Sequence, residues 1–269
     1  IADGLLAIDE VLLFLNFERG DRFGHALVLG IDIYIYYAKR DYTLSMTKQT
    51  LIDNFCWLFV KCKQNIGDIP PCEYFKAQFR KYVYDVYGEL IDIYTYYQSW
   101  LLRGDNPEIY QDIDKCPNVD YCIDPWNRSA LNIKHDDVNE ARKIKGARHL
   151  LYKYHYDCDV KRKGAEGETL QIPFKERDAF LYVINTLQSI MLDKISSLNI
   201  RVECNPTSNY KIGEMTRYDL HPILRYYNVG IGIDIEEVKD IPVTINTDDK
   251  GVFATSHERE YSLMALALE

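Results

Sequence analysis

At 269 residues the chain is long enough for one large domain, or for one domain carrying a big insertion. Hydrophobic residues at 47% and charged residues at 27% are ordinary for a soluble globular protein, and the net charge of −9 disfavours non-specific binding to nucleic acid or to an anionic membrane. Seven cysteines without a C-x-x-C pair argue against both a disulfide framework and a cysteine zinc site, and predict scattered, reduced, mostly buried thiols in the cytoplasm.

Leu5, Ile8, Leu12 and Leu15 recur at helical spacing over residues 3 to 17, without the layout of a signal peptide, and no apolar run reaches membrane-spanning length. The pattern starts at Ile1 without a methionine, which predicts the C-terminal part of something longer. Arg19-Gly20-Asp21 breaks the helix, and Phe23 to Leu29 reads as a strand holding His25 beside Gly24. Helix followed by strand is the alternation of a parallel sheet, whose sites lie at the strand C-termini.

From Tyr34 to Pro173 this alternation stops. Gln49 to Lys63, Glu73 to Tyr87, the stripe Leu90, Tyr94, Tyr97 and Leu101, and Val138 to Tyr156 all have helical period, around a loop at 104–132 with Pro117, Pro125 and Trp126. A crossover between neighbouring strands needs far fewer residues, so 34–173 is expected as a helical insertion. Its tyrosines suit either a subunit interface or packing against the rest. Eight cations between Arg142 and Lys163 read as a solvated helical face, or as a phosphate-binding patch. His135, His149 and His155 show no metal-ligand spacing.

Phe174 to Leu198 restores a long amphipathic helix, leading into a strand at Ile200 that ends on Glu203 and Asn205. Tyr218 to Tyr227 reads as a helix with His221 at its start, and Gly230 to Asp240 as a connection. Val243 and Ile245 alternate with Thr244 and Asn246 in a last strand, which ends on Asp248 and Asp249 before a helix from about Ser256 to Glu269. Two adjacent carboxylates there are commonly a turn and a helix cap; if the chain turns between them, they can instead serve metal ligation and substrate hydrogen bonding.

Gly24-His25, then Glu203-Cys204-Asn205-Pro206-Thr207-Ser208-Asn209, then Thr247-Asp248-Asp249, with Glu260-Tyr261 on the following helix, resemble in this order the adenosine deaminase family of the metal-dependent amidohydrolases. The resemblance covers roughly the first thirty and last seventy residues. It implies an α/β fold: the C-terminal part of a (β/α)8 TIM-type barrel made by 1–33 and 174–269, carrying the insertion at 34–173. It implies hydrolytic deamination of adenosine or an adenine nucleotide with release of ammonia, helped by one Zn2+ or other divalent metal that lowers the pKa of a bound water. Asp248 would be a metal ligand, His25 would orient and polarise the water, and Asp249 would contact a ring nitrogen, while Glu203 and Ser208 shape the strand and its turn.

The chain departs from the family at Asn205, Ala26 and Lys250, where cysteine, glycine and proline are usual, and it lacks the His-x-His strand, a further metal histidine and the ring-protonating glutamate. The large insertion is similar to the bacterial anti-phage adenosine deaminases of the RADAR system, which implies a homo-oligomer and a defence-system partner protein. The rival expectations are a catalytically inactive barrel whose insertion serves assembly or partner binding, and another amidohydrolase.

Overall fold

In a computed structural model, the described residues are 1–14, 17, 19–115, 136–173, 177–213, 215–227 and 239–268. Most of the loop holding Pro117, Pro125 and Trp126, and the connection at 230–238, lie outside them. Helix α1 (Ala2–Phe14) precedes strand β1 (Arg22–Gly24), and α2 (Ile33–Ala38), β2 (Thr43–Met46), α3 (Lys48–Asn65), α4 (Pro70–Tyr87) and α5 (Ile93–Leu101) follow. Next come α6 (Asp136–Lys143), α7 (Lys145–Tyr156), α8 (Cys158–Lys163), β3 (Leu170–Pro173) and α9 (Arg177–Ser197). The last elements are β4 (Arg201–Cys204), α10 (Pro206–Lys211), α11 (Ile223–Tyr226), β5 (Val243–Ile245), α12 (Lys250–Phe253) and α13 (His257–Leu268). No helix among the described residues is long and apolar enough to cross a membrane.

Two small sheets organise these elements. β1, β4 and β5 run parallel in the order β1-β4-β5, with Gly24 opposite Glu203 and Glu203 opposite Thr244, so the three strands end at one edge. β2 and β3 pair antiparallel, Thr43 opposite Pro173 and Met46 opposite Leu170. Helices α3 to α8 thus enter and leave through a two-stranded neck.

A run of aromatic rings threads the otherwise aliphatic core. On α3, Phe55 stacks on Phe75 and Tyr82 of α4, and Phe75 meets Phe180 of α9 edge to face. Tyr37, Tyr82, Tyr87, Tyr96, Tyr97 and Tyr110 are all buried, so many of the tyrosines are core. α1 is pinned to α3 by Asp9, which accepts from Trp57 Nε1 at 3.0 Å and pairs with Lys61 Nζ at 2.8 Å. Of the described cysteines, Cys56, Cys62, Cys72 and Cys204 are buried and only Cys158 is exposed, all as free thiols.

The cationic run from Arg142 to Lys163 is mostly engaged within the fold. Arg142 and Arg148 are buried, on Asp105 and on the carbonyls of Arg142 and Ile113. Lys143, Lys145, Lys153 and Arg162 pair with Glu140, Asp114, Glu89 and Asp159.

Candidate functional site

Each of the three parallel strands gives up its extended conformation just where its polar residues begin. β1 ends at Gly24, shorter than expected, because His25 takes φ 56°, a left-handed conformation that a strand cannot hold. The chain then makes a 3-10 turn at Leu27–Leu29. Buried groups hold it: Tyr226 Oη donates to the Ala26 carbonyl at 2.7 Å, and Gln188 Nε2 to the carbonyls of Val28 and Ile31 at 2.6 and 3.0 Å. Gly30 must be glycine here, since a Cβ would lie 2.7 Å from Pro222 Cβ and 2.8 Å from Tyr226 Cε1.

β4 runs directly into α10 through Asn205-Pro206, proline being suited to the first turn of a helix. This turn is tied to the last helix by Glu260, fully buried, whose carboxylate accepts from Thr207 N at 2.9 Å and from the Thr255 hydroxyl. Glu260→Ala leaves the buried Thr207 N–H without an acceptor, and the chain should lose about 2 kcal/mol. A thermal melt checks this, and an unchanged midpoint would show that the carboxylate holds nothing in place.

After β5, Asp248 takes φ 55°. Its Oδ2 accepts from Ser208 Oγ at 2.7 Å and lies 3.9 Å from His25 Nε2. The imidazole is largely exposed, its side chain 58% accessible against 27% for Asp248. At 3.9 Å the two groups are too far apart for a direct hydrogen bond, but an oxygen placed against both would be within reach of each. Left-handed backbone at a residue other than glycine costs about 1–3 kcal/mol and persists where its surroundings impose it, often at functional sites. Here it occurs at both members of the pair.

Asp249 goes elsewhere. It is the N-cap of α12, with Oδ1 accepting from Gly251 N at 2.9 Å and from Val252 N at 3.1 Å. Thus two of the expected site residues, His25 and Asp248, meet. Ser208, expected to shape the turn, touches the carboxylate itself.

In the sequence His221 stands near the start of the helix expected from Tyr218 to Tyr227; in the structure Pro222 breaks that helix into a 3-10 turn at Tyr218–Leu220 and α11. The imidazole is buried, with Nε2 3.1 Å from Asn209 Oδ1 and Nδ1 accepting from Ile223 N at 3.0 Å. Asn209 Oδ1 also accepts from Asn205 N, so His221 braces the turn that carries Ser208. Burial pushes its pKa from the usual 6.5 down to about 4. The unfolded chain takes up this proton near pH 6.5 and the folded chain only near pH 4. Stability that is complete above pH 6.5 is therefore lost as pH falls toward 4, by up to about 3 kcal/mol. Urea midpoints across that range should fall in the wild type and flatten in His221→Asn; parallel curves would remove His221 as the cause.

A metal fits these residues poorly on its own. A catalytic zinc takes about three protein ligands. Among the described residues no group of three His, Cys, Asp or Glu side chains is placed to hold an ion, and here only His25 and Asp248 converge.

No family model matches the chain. Over 75 residues it is 37% identical to the N6-methyl-AMP deaminase of Danio rerio. The matched stretch covers 28% of this chain and 19% of that protein. Part of the chain is therefore deaminase-like in sequence.

Proposed function

We propose that the protein acts in the hydrolytic deamination of adenosine or an adenine nucleotide, replacing the amino group by oxygen and releasing ammonia. The observation that carries this reading is the His25–Asp248 pair at the C-terminal edge of the parallel sheet, both residues held left-handed. The partial match to a protein named N6-methyl-AMP deaminase supports a deaminase-like reaction on an adenine-type compound.

The pair suits the polar half of the reaction. Water must be aimed at an electron-poor ring carbon, and one of its protons must be taken up. The exposed His25 imidazole can accept that proton, and Asp248, fixed by the Ser208 hydroxyl, faces the imidazolium that forms. Asp249 is proposed as a substrate contact through Oδ2, since Oδ1 caps α12. A divalent ion, zinc or another, belongs to this proposal only with ligands beyond the described residues. The resemblance further proposes a (β/α)8 barrel of which β1, β4 and β5 are three strands, a homo-oligomer, a partner protein in anti-phage defence and a cytoplasmic setting.

A second reading is a catalytically inactive deaminase-like unit whose helical insertion serves assembly. Among the described residues only two ligating side chains converge at this edge, which is what that reading expects. Release of ammonia from adenosine and AMP, and of methylamine from N6-methyl-AMP, with metal content measured alongside, decides between the two. Release from any of them supports the deaminase. No release and no bound metal overturns it and leaves the insertion as the working part.

A further inference from the structure

Two thiols of the helical insertion face each other, away from the residues of the candidate site. Cys62 stands in the last turn of α3 and Cys72 in the first turn of α4. Both are fully buried, and their Sγ atoms are 3.1 Å apart, about 1 Å more than the length of a disulfide bond. The Cys72 thiol can also donate to the Gly67 carbonyl at 3.5 Å. Among the described residues no other two thiols are paired.

The connection between the helices holds the sulfurs in place. The Cys62 carbonyl accepts from Ile66 N and from Gly67 N, both at 2.9 Å, and Cys72 N donates to the Ile69 carbonyl at 2.9 Å. Gly67 supplies φ 116° where the chain reverses, Pro70 and Pro71 set the start of α4, and Lys63 pairs with Asp68 across the turn. With the backbone already fixed, joining the two sulfurs orders little further chain. Asn65 and Asp68 of this turn are exposed, so opening of the turn alone admits a small oxidant to the pair beneath it.

We infer that Cys62 and Cys72 form a peroxide-responsive pair, closing to a disulfide that clamps α3 to α4. Hydrogen peroxide takes one thiol to a sulfenic acid and releases water; the other thiol attacks that sulfur, forming the S–S bond and expelling a second water. Two electrons and two protons thus pass from the thiols to one peroxide. Burial, helped by the contact with Cys72, pushes the Cys62 thiol up to about 12. Little thiolate is therefore present near neutral pH, and the pair answers sustained rather than brief exposure, faster as pH rises. The clamp holds whether or not the chain is a deaminase.

Peptide mapping of the whole protein after incubation with hydrogen peroxide tests this. The treated protein is unfolded in an alkylating agent and digested with trypsin, whose cleavage after Lys63 separates the two cysteines. The fragment with Cys62 should be joined to the fragment with Cys72 and released by dithiothreitol. The oxidised protein should melt about 5 °C above the reduced one. Cys72→Ser should abolish both the joined fragments and the gain in melting temperature, leaving Cys62 to proceed to sulfinic acid. If that variant fails to fold, the map of the wild type decides alone. Full alkylation of Cys62 and Cys72 under conditions that oxidise the exposed Cys158 would overturn the inference, as would either of them joined to a different cysteine.

Discussion

Asp105→Ala should cost the chain about 3–5 kcal/mol, read as a lowered urea midpoint with hydrogen exchange quickening first in α6 and α7. Asp105 and Arg142 are 4% and 5% exposed at their side chains and pair in the two-pronged geometry, Nε to Oδ2 at 2.9 Å and Nη2 to Oδ1 at 2.6 Å. Tyr110 Oη donates to the same carboxylate, and Arg142 Nη1 to Asn139 Oδ1. The pair joins the turn after α5 to α6, and Arg148, donating to the Arg142 and Ile113 carbonyls, extends the joint into α7. Removing the carboxylate takes from a buried guanidinium the charge it pairs with in two-pronged geometry, and the desolvated charge, more than the lost attraction, sets the magnitude. The double replacement Asp105→Leu with Arg142→Met should therefore be far less damaging than either change alone. A loss below about 1 kcal/mol for Asp105→Ala would mean that Arg142 reaches water once freed.

What the sequence made legible follows the range of the interaction that fixes each element. α3, α4, α5 and α9 come close to their expected limits, because a stripe such as Leu51, Phe55, Leu58 and Cys62 is a local property of period 3.6. α4 stops where Gly88 takes φ 73°, the usual left-handed closure of a helix. β2 and β3 were missed: each has four residues, and they are joined across the whole set of helices that they bracket. No window along the chain contains both halves of that pairing. The strand expected to run through His25 stops at Gly24, because a left-handed histidine imposed by Gln188 and Tyr226 leaves no trace in apolar alternation. For the site, residue type and order along the chain singled out His25, within the Phe23 to Leu29 strand, and Asp248, at the end of the last one; the structure sets them after β1 and β5, with β4 between. The roles of Ser208 and Glu260 needed the third dimension, since a hydroxyl after Pro-Thr looks the same whether it caps a turn or fixes a carboxylate.

The sharpest separation of chemistry from folding comes at Asp248. Asp248→Asn should lower ammonia release by about 10³-fold, some 4 kcal/mol of transition-state stabilisation. The melting temperature should stay within about 2 °C of the wild type. Asparagine tolerates φ 55° as well as aspartate does, and its amide oxygen can still accept from Ser208 at 2.7 Å. What it lacks is the negative charge 3.9 Å from His25 Nε2, which an imidazolium formed by taking a proton from water would face. Asp248→Ala should match this loss of activity and add about 1 kcal/mol of instability, from left-handed strain and from the buried Ser208 hydroxyl left without its acceptor. Asp248→Gly removes the strain but not the loss of the Ser208 acceptor, and should recover only part of the stability without restoring turnover. If Asn at 248 retained near wild-type release, the carboxylate would be a fixture of the turn and the proton would have to be handled elsewhere. If Asn and Ala were equally unstable, the left-handed backbone would have no bearing on the choice of residue at 248.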